Sequence, residues 1–267
     1  MNKEALRMAR EVADQTGTLM AGNICNSTLY DVNNPSCAAT IDAQFKEQIE
    51  MAVEAGADFI VGETYGDLGE AMIALKAIKT YGQGLPAVIT MSFYQSFVNG
   101  RLATIDGVEM CSAFQRLEEA GADVLGFNCA RGPATTIPLI KELKKAVKVP
   151  IAALPVVYRT TEEAPNMQAL KDPTNGKQLF PMNLDCAACS RDDIEAFGRQ
   201  CLELDVQYVG LCCGNAAHYT RTLCQTLGRA PPSSRYSPDM SQHFVYGNDE
   251  KLLRYNQKNV KQILTTD

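Results

Sequence analysis

The sequence predicts an α/β fold, a parallel sheet wrapped by helices as a (β/α)8 TIM barrel, of which about six strands can be traced. Three observations predict it. Short apolar runs rich in Val, Ile, Leu and Phe alternate with amphipathic stretches, as expected of strands buried on both faces beneath covering helices. The junction between them repeats. Glu54-Ala55-Gly56-Ala57-Asp58 leads into Phe59 to Glu63, Glu119-Ala120-Gly121-Ala122-Asp123 leads into Val124 to Asn128, and a degraded copy, Leu202-Glu203-Leu204-Asp205-Val206, leads into Gln207 to Leu211. The residues best suited to chemistry, Glu63, Cys129, Cys212 and Cys213, all fall at the C-terminal ends of these runs, where barrels carry their sites. A doubly wound sheet would instead show a Gly-x-Gly-x-x-Gly or Walker-type phosphate loop, and neither is present.

Residues 4–15 form the first predicted helix, and Gly17 precedes a strand at 18–22. A helix over 42–55 stops at Gly56, whose tolerance of a left-handed backbone suits a helix terminus, and the strand at 59–63 follows. Helix 68–80 is closed by Gly82, Gly84 and Pro86 ahead of a strand at 87–92. Helix 107–120 ends at Gly121 before the strand at 124–128. Helix 134–147, with Pro138 near its first turn, gives way through Pro150 to the strand at 151–154. Residues 159–190 contain Pro165, Pro173, Gly176 and Pro181, have little periodicity, and read as a long surface loop of the kind that often carries function. Helix 191–204 and the strand at 207–211 complete the alternation. Pro231-Pro232-Ser233-Ser234 then breaks the chain, and 249–264 reads as a polar, charge-rich helix, an appendage or partner arm. The expected division is 1–229, an incomplete barrel, and 230–267, a C-terminal extension.

With 267 residues, 46% of them hydrophobic, the chain can bury a sizeable core and is not intrinsically disordered. Lys+Arg 25 against Asp+Glu 31 leaves a formal net charge of −6, which argues against a nucleic-acid partner. No apolar run approaches the roughly 18–20 residues that cross a bilayer, so no membrane partner is expected. Met1-Asn2-Lys3-Glu4-Ala5 is no secretory signal, and ten cysteines over this length are too dilute for a disulfide scaffold. A cytoplasmic protein with reduced thiols is expected.

Thiolates bind zinc well, and a catalytic zinc commonly takes three protein ligands and one open position. Cys129, Cys212 and Cys213 offer three such ligands, provided the chain leaves strand geometry at the Cys212–Cys213 pair, which Gly214 permits. The competing reading is three small buried hydrophobes at strand ends. Cys186-x-x-Cys189 has metal-like spacing without a second pair nearby. Glu63 at the end of an apolar strand is a site candidate, and Asn128 either orients a loop, contacts substrate or bonds the strand end. Tyr65, Phe93, Tyr94 and Tyr158 lie near strand ends, where they either cage a cation or pack. The histidines are His218 and His243, and without a Gly-x-Ser-x-Gly elbow a serine hydrolase has no support.

Gly126-Phe127-Asn128-Cys129-Ala130-Arg131-Gly132-Pro133, followed about eighty residues later by Gly210-Leu211-Cys212-Cys213-Gly214, resembles the zinc signature of the homocysteine S-methyltransferase family. Asp58 to Thr64 resembles the strand in which that family places the carboxylate for the homocysteine ammonium, and the resemblance runs to about Leu227. It implies zinc on Cys129, Cys212 and Cys213, substrate contacts from Glu63, Thr64 and Asn128, and transfer of a methyl group from betaine or S-methylmethionine to the homocysteine thiol, forming methionine. Betaine enzymes carry an aromatic residue directly after the carboxylate, where this chain has Thr64. The start of the chain resembles the helix preceding the third barrel strand, which implies an N-terminal truncation by two β/α units. Ser237-Pro238-Asp239-Met240-Ser241 with Arg254-Tyr255-Asn256 resembles the oligomerisation extension of the betaine branch, so a homo-oligomer is implied. The rivals are a non-catalytic fragment of such an enzyme and a zinc-dependent hydrolase; three thiolates would leave the metal electron-rich and poor at activating water.

Overall fold

Six parallel strands stand side by side in chain order: β1 (Ala21–Cys25), β2 (Phe59–Tyr65), β3 (Ala87–Met91), β6 (Val124–Asn128), β7 (Ile151–Leu154) and β8 (Tyr208–Val209). The computed structural model describes residues 1–236 together with residues 243 and 247, so the helix expected at 249–264 lies outside the described residues. By its contacts the chain divides into Met1–Leu227, which holds all of these strands, and Gly228–Asp267. Helices α1 (Asn2–Thr16), α2 (Cys37–Glu54), α3 (Leu68–Tyr81), α4 (Met110–Glu119), α5 (Pro133–Ala146) and α6 (Arg191–Glu203) precede or link the strands, and α7 (Ala217–Thr226) follows β8. A hairpin of β4 (Phe97–Val98) and β5 (Arg101–Leu102) decorates the β3–α4 connection and was not expected from the sequence.

The repeated junction has one physical design. Gly56 and Gly121 sit at φ 79° and 92°, and Asp205 takes the equivalent left-handed place in the degraded copy at φ 50°. Each lets the next N–H turn back to a helix carbonyl: Ala57 to Ala52, Ala122 to Leu117 and Val206 to Cys201. The residue after that opens the next strand region and fastens the strand beside it. Asp58 accepts the Met20 N–H at 2.7 Å, Asp123 the Ala87 N–H at 2.7 Å, and Gln207 the Ile151 N–H at 3.0 Å. The Met20 N–H, aided by Arg10, holds the Asp58 carboxyl below its usual range. Burial pushes Asp123 up, but the Ala87 N–H and Lys79 prevail and leave it lowered.

The first strand is displaced from the expected 18–22 to Ala21–Cys25, because Thr18–Met20 are used to link α1 to the Asp58 clasp. The last is shorter than 207–211, ending at Val209. The long segment 159–190 is more than a surface loop. Met167, Leu170, Leu179 and Leu184 form a second core with Val156, against which Cys129, Cys212 and Tyr158 pack.

The sheet curls strongly. Four strand steps of about 4.8 Å separate β2 from β8, or about 19 Å if flat, yet Phe59 and Tyr208 meet edge to face with ring centroids 6.1 Å apart. The main apolar core fills the layer between the helices and the outer face of the sheet.

Candidate metal centre

The structure brings Cys129, Cys212 and Cys213 together at the C-terminal ends of β6 and β8. Cys213 Sγ lies 3.6 Å from Cys129 Sγ and 4.0 Å from Cys212 Sγ, and all three sulfurs fall within 4.8 Å of one another. A tetrahedral zinc with Zn–S bonds of about 2.3 Å separates its sulfurs by about 3.8 Å, so the trio fits that ion. Cys186 and Cys189 belong to neither candidate metal group among the described residues; the second group is Glu109, Cys111 and Glu142.

Backbone geometry creates this spacing. Cys129 and Ala130 both adopt positive φ, 58° and 51°, which turns the chain sharply after Asn128. After Val209 the chain leaves strand geometry, so the adjacent Cys212 and Cys213 need not point to opposite faces. Gly214 has φ 80°, and a Cβ there would lie 2.6 Å from Tyr158 Oη. The end of β7 and the residues just after it stitch the two cysteine turns together: Cys129 N–H donates to Leu154 O, Cys212 N–H to Pro155 O and Val157 N–H to Cys213 O.

The three thiols do not titrate alike. Interaction with the Cys129 thiol, and then the Cys213 N–H, draws Cys212 down to about 6 against the opposing effect of burial. Cys129 is pushed up by sharing its proton with Cys212 and by burial, and Cys213 is pushed up by burial and by the charge on Cys212. Three thiols this close cannot all ionise unless a cation joins them.

Asn128 is buried and links the thiols to the carboxylate. Its Oδ1 accepts the Thr64 N–H at 2.8 Å and the Thr90 hydroxyl at 2.9 Å. Its Nδ2 donates to Thr64 Oγ1 at 2.6 Å, faces Glu63 Oε2 at 3.4 Å, and lies 4.0 Å from Cys212 Sγ. Glu63 Oε1 accepts from Asn23 Nδ2 at 2.9 Å. Glu63, Thr64 and Asn128 are therefore one cluster beside the thiols. Asn23 and Thr90 were not singled out by sequence. Thr90 carried a signal, as the polar residue of an otherwise apolar strand, whereas Asn23 fell outside a strand placed too early.

The aromatic candidates divide. Tyr65 is fully buried against Phe45 of α2, ring centroids 6.3 Å apart, and Phe93 packs with Phe114 and Phe127. Both belong to the main apolar core. Tyr94 contributes its carbonyl to buried Arg131, and half-buried Tyr158 borders the Cys213–Gly214 turn. His218 sits in the first turn of α7, outside the cluster.

The description homocysteine S-methyltransferase matches residues 1–227. Betaine–homocysteine S-methyltransferase 1 of Xenopus tropicalis is 28% identical over 261 residues, covering 93% of this chain and 58% of the relative. An S-methylmethionine–homocysteine S-methyltransferase, BHMT2 of Pongo abelii, is 30% identical over 259 residues, covering 93% of this chain and 65% of the relative. The chain thus spans about three fifths of the length of these curated relatives. Among solved structures, the metallated form of the homocysteine methyltransferase MmuM from Escherichia coli superposes with a TM-score of 0.60 at 14% identity, over 83% of this chain and 68% of that one.

Proposed function

Because the chain belongs to the homocysteine S-methyltransferase family, we propose that it carries the site at which a methyl group passes from betaine or S-methylmethionine to the sulfur of homocysteine, giving methionine. The observation that carries this reading is the thiol trio, spaced for one tetrahedral cation and bordered by a carboxylate. Cys129, Cys212 and Cys213 hold zinc, leaving one position open. Zinc, when bound, supplies the positive charge that lets the substrate thiol, with an ordinary pKa of about 8.5, react as thiolate near neutral pH. Glu63 receives the substrate ammonium through a charge-assisted hydrogen bond, and Asn128 fixes that carboxylate relative to the sulfurs. Cys213→Ala tests the reading: zinc retention and methyl transfer should both be lost, and stoichiometric zinc in the variant would sink the ligand assignment.

A second reading, that residues 1–267 are one part of a larger barrel, is favoured by the sheet. Phe59 and Tyr208 meet from strands four places apart, which supports a sheet curled towards closure, and on this reading the remaining strands would lie between the edge strands β8 and β1. Unpaired strand edges and uncovered inward side chains promote association. Residues 1–267 alone are therefore expected to be associated and to turn over poorly with either donor. A monodisperse preparation with turnover near that of an intact relative would refute it. Homo-oligomer formation through 230–267 is proposed from sequence alone.

A further inference from the structure

The end of β2 contains a kink that the thiols and the carboxylate do not by themselves require. From Gly62 to Tyr65, β2 advances three residues while its partner β3 advances two, Ile89 to Met91. This is a bulge, and within it Thr64 has φ 68°, a conformation that β-branched residues rarely adopt. One extra residue reverses the in-and-out alternation beyond it. Glu63 faces the sulfurs, while Tyr65, two residues later, turns outward into the α2 layer against Phe45. A regular strand would have placed both on the inner face.

The bulge is held by one side chain at two points. Asn128 takes the Thr64 N–H on Oδ1 at 2.8 Å and gives an Nδ2 hydrogen to Thr64 Oγ1 at 2.6 Å. The amide cannot turn over, because the Thr64 N–H can only donate and would then face Nδ2; the Thr90 hydroxyl adds a second bond to Oδ1 at 2.9 Å. With one Nδ2 hydrogen committed to Thr64, the other lies between Glu63 Oε2 at 3.4 Å and Cys212 Sγ at 4.0 Å. Resting on the functional reading above, we infer that Thr64 is a positioning residue for the amino-acid substrate: its hydroxyl, locked to Asn128, sets the bulge that aims the Glu63 carboxylate at the substrate ammonium. The hydroxyl acts on recognition of the α-amino acid and leaves metal binding to the cysteines. Without it, one Nδ2 hydrogen of Asn128 lacks its acceptor and the Glu63 carboxylate loses its fixed direction.

The test compares the wild-type protein at its full natural length with Thr64→Val and Thr64→Ser. Valine keeps the branched shape and removes the acceptor; serine keeps the hydroxyl. L-Norleucine, an α-amino acid without a thiol, reports ammonium recognition by calorimetry independently of turnover. Thr64→Val should weaken norleucine binding and raise the homocysteine KM by about tenfold, with kcat and zinc content within about twofold of wild type. Thr64→Ser should return both to within about threefold. Should the valine variant fold poorly, Thr64→Gly replaces it. Glycine accepts φ 68° without strain, so the same loss of affinity is expected with no fall in thermal midpoint. An unchanged norleucine affinity and KM in the valine or glycine variant overturns the proposal. So does a parallel fall of kcat, zinc content and affinity that serine does not rescue. A wild-type protein that retains zinc but binds neither amino acid would instead overturn the functional reading on which the proposal rests.

Discussion

Gly214→Ala leaves all three thiols chemically intact and asks whether the backbone imposes their spacing. At φ 80° the residue lies where a side chain is strained, and a Cβ would sit 2.6 Å from Tyr158 Oη, 2.7 Å from Tyr158 Cζ and 2.8 Å from Val157 Cγ2. The left-handed conformation costs alanine about 1 kcal/mol relative to glycine. Relieving contacts under 3 Å in a packed turn adds about 1–3 kcal/mol. The total, about 3 kcal/mol, can be shed by moving the Cys213–Gly214 turn away from Tyr158 and Val157, which stretches the Val157 N–H to Cys213 O bond, already 3.2 Å long. That movement takes Cys213 Sγ off its tetrahedral corner, so part of the binding energy of the metal is spent restoring it. About 3 kcal/mol corresponds to about a hundredfold in affinity. Competition against a chromophoric chelator should therefore report a zinc Kd weakened by about two orders of magnitude. An affinity within about threefold of wild type would refute the claim that Gly214 sets the geometry.

Glu63→Gln keeps shape but removes charge, and should weaken homocysteine binding by about ten- to a hundredfold (about 1.5–3 kcal/mol) with zinc retained; an unchanged KM would remove Glu63 from the substrate site. Asp67 is raised from 3.8 to about 6 by burial and then by Asp106 and Glu70. Its ionisation opposes folding, so the penalty is absent below the unfolded value and grows as pH rises towards about 6. Asp67→Asn should gain about 1 kcal/mol over wild type at pH 7, allowing for solvent screening, and lose that gain near the unfolded value. Urea midpoints that differ equally at both pH values would contradict it. Asp123 is the opposite case. Its lowered carboxyl adds stability above the unfolded value that is lost as pH falls through the folded one, so Asp123→Ala should cost at most about 1 kcal/mol at pH 7 once the half-exposed pair with Lys79 is discounted for solvent screening, and less at acid pH, again read from urea midpoints.

The parallel order of the strands was legible because each junction is local. A helix, a left-handed residue and a carboxylate or amide follow one another within a few positions, and even Asp205 could stand in for glycine without hiding the pattern. That the cysteines come together was legible by position, since strand ends converge whatever the details of the loops, whereas position left open whether they bind a metal or only pack. Asn128 was named without its role, because its partners Thr64, Thr90 and Glu63 come from other strands. The bulge at Thr64 was invisible: Phe59 to Tyr65 reads as an ordinary strand, and only pairing with β3 shows that one residue is extra. This is also why Tyr65 stood among the cage candidates. Alternation puts it beside Glu63, and the bulge sends it to the core. The packing of Cys129 and Cys212 on residues 167–184 was hidden for a different reason, since isolated leucines in a Pro-rich segment give no periodic signal.

The two halves of the site differ in what supports them. The cysteine turns are bonded to the end of β7 and the segment after it, and Cys129 and Cys212 rest on the second core, so the metal-holding half is assembled from β6, β7, β8 and the long connection. The carboxylate stands on β2, next to β1, where Cys25, the register partner of Glu63, and Asn23, its hydrogen-bond partner, are exposed. Among the described strands β1 is an edge of the sheet. An oppositely charged pair exposed there is screened by water and worth little, whereas the same pair covered from solvent is stronger. On the proposed function, covering that edge would act on the Glu63 ammonium contact and have little leverage on the sulfurs, which are held by their own loops. On the same proposed function, zinc affinity should follow the turns around Cys129 and Gly214, and amino-acid affinity should follow Thr64, Asn128 and whatever shields Glu63. Measured on the same variants, the two affinities should change independently.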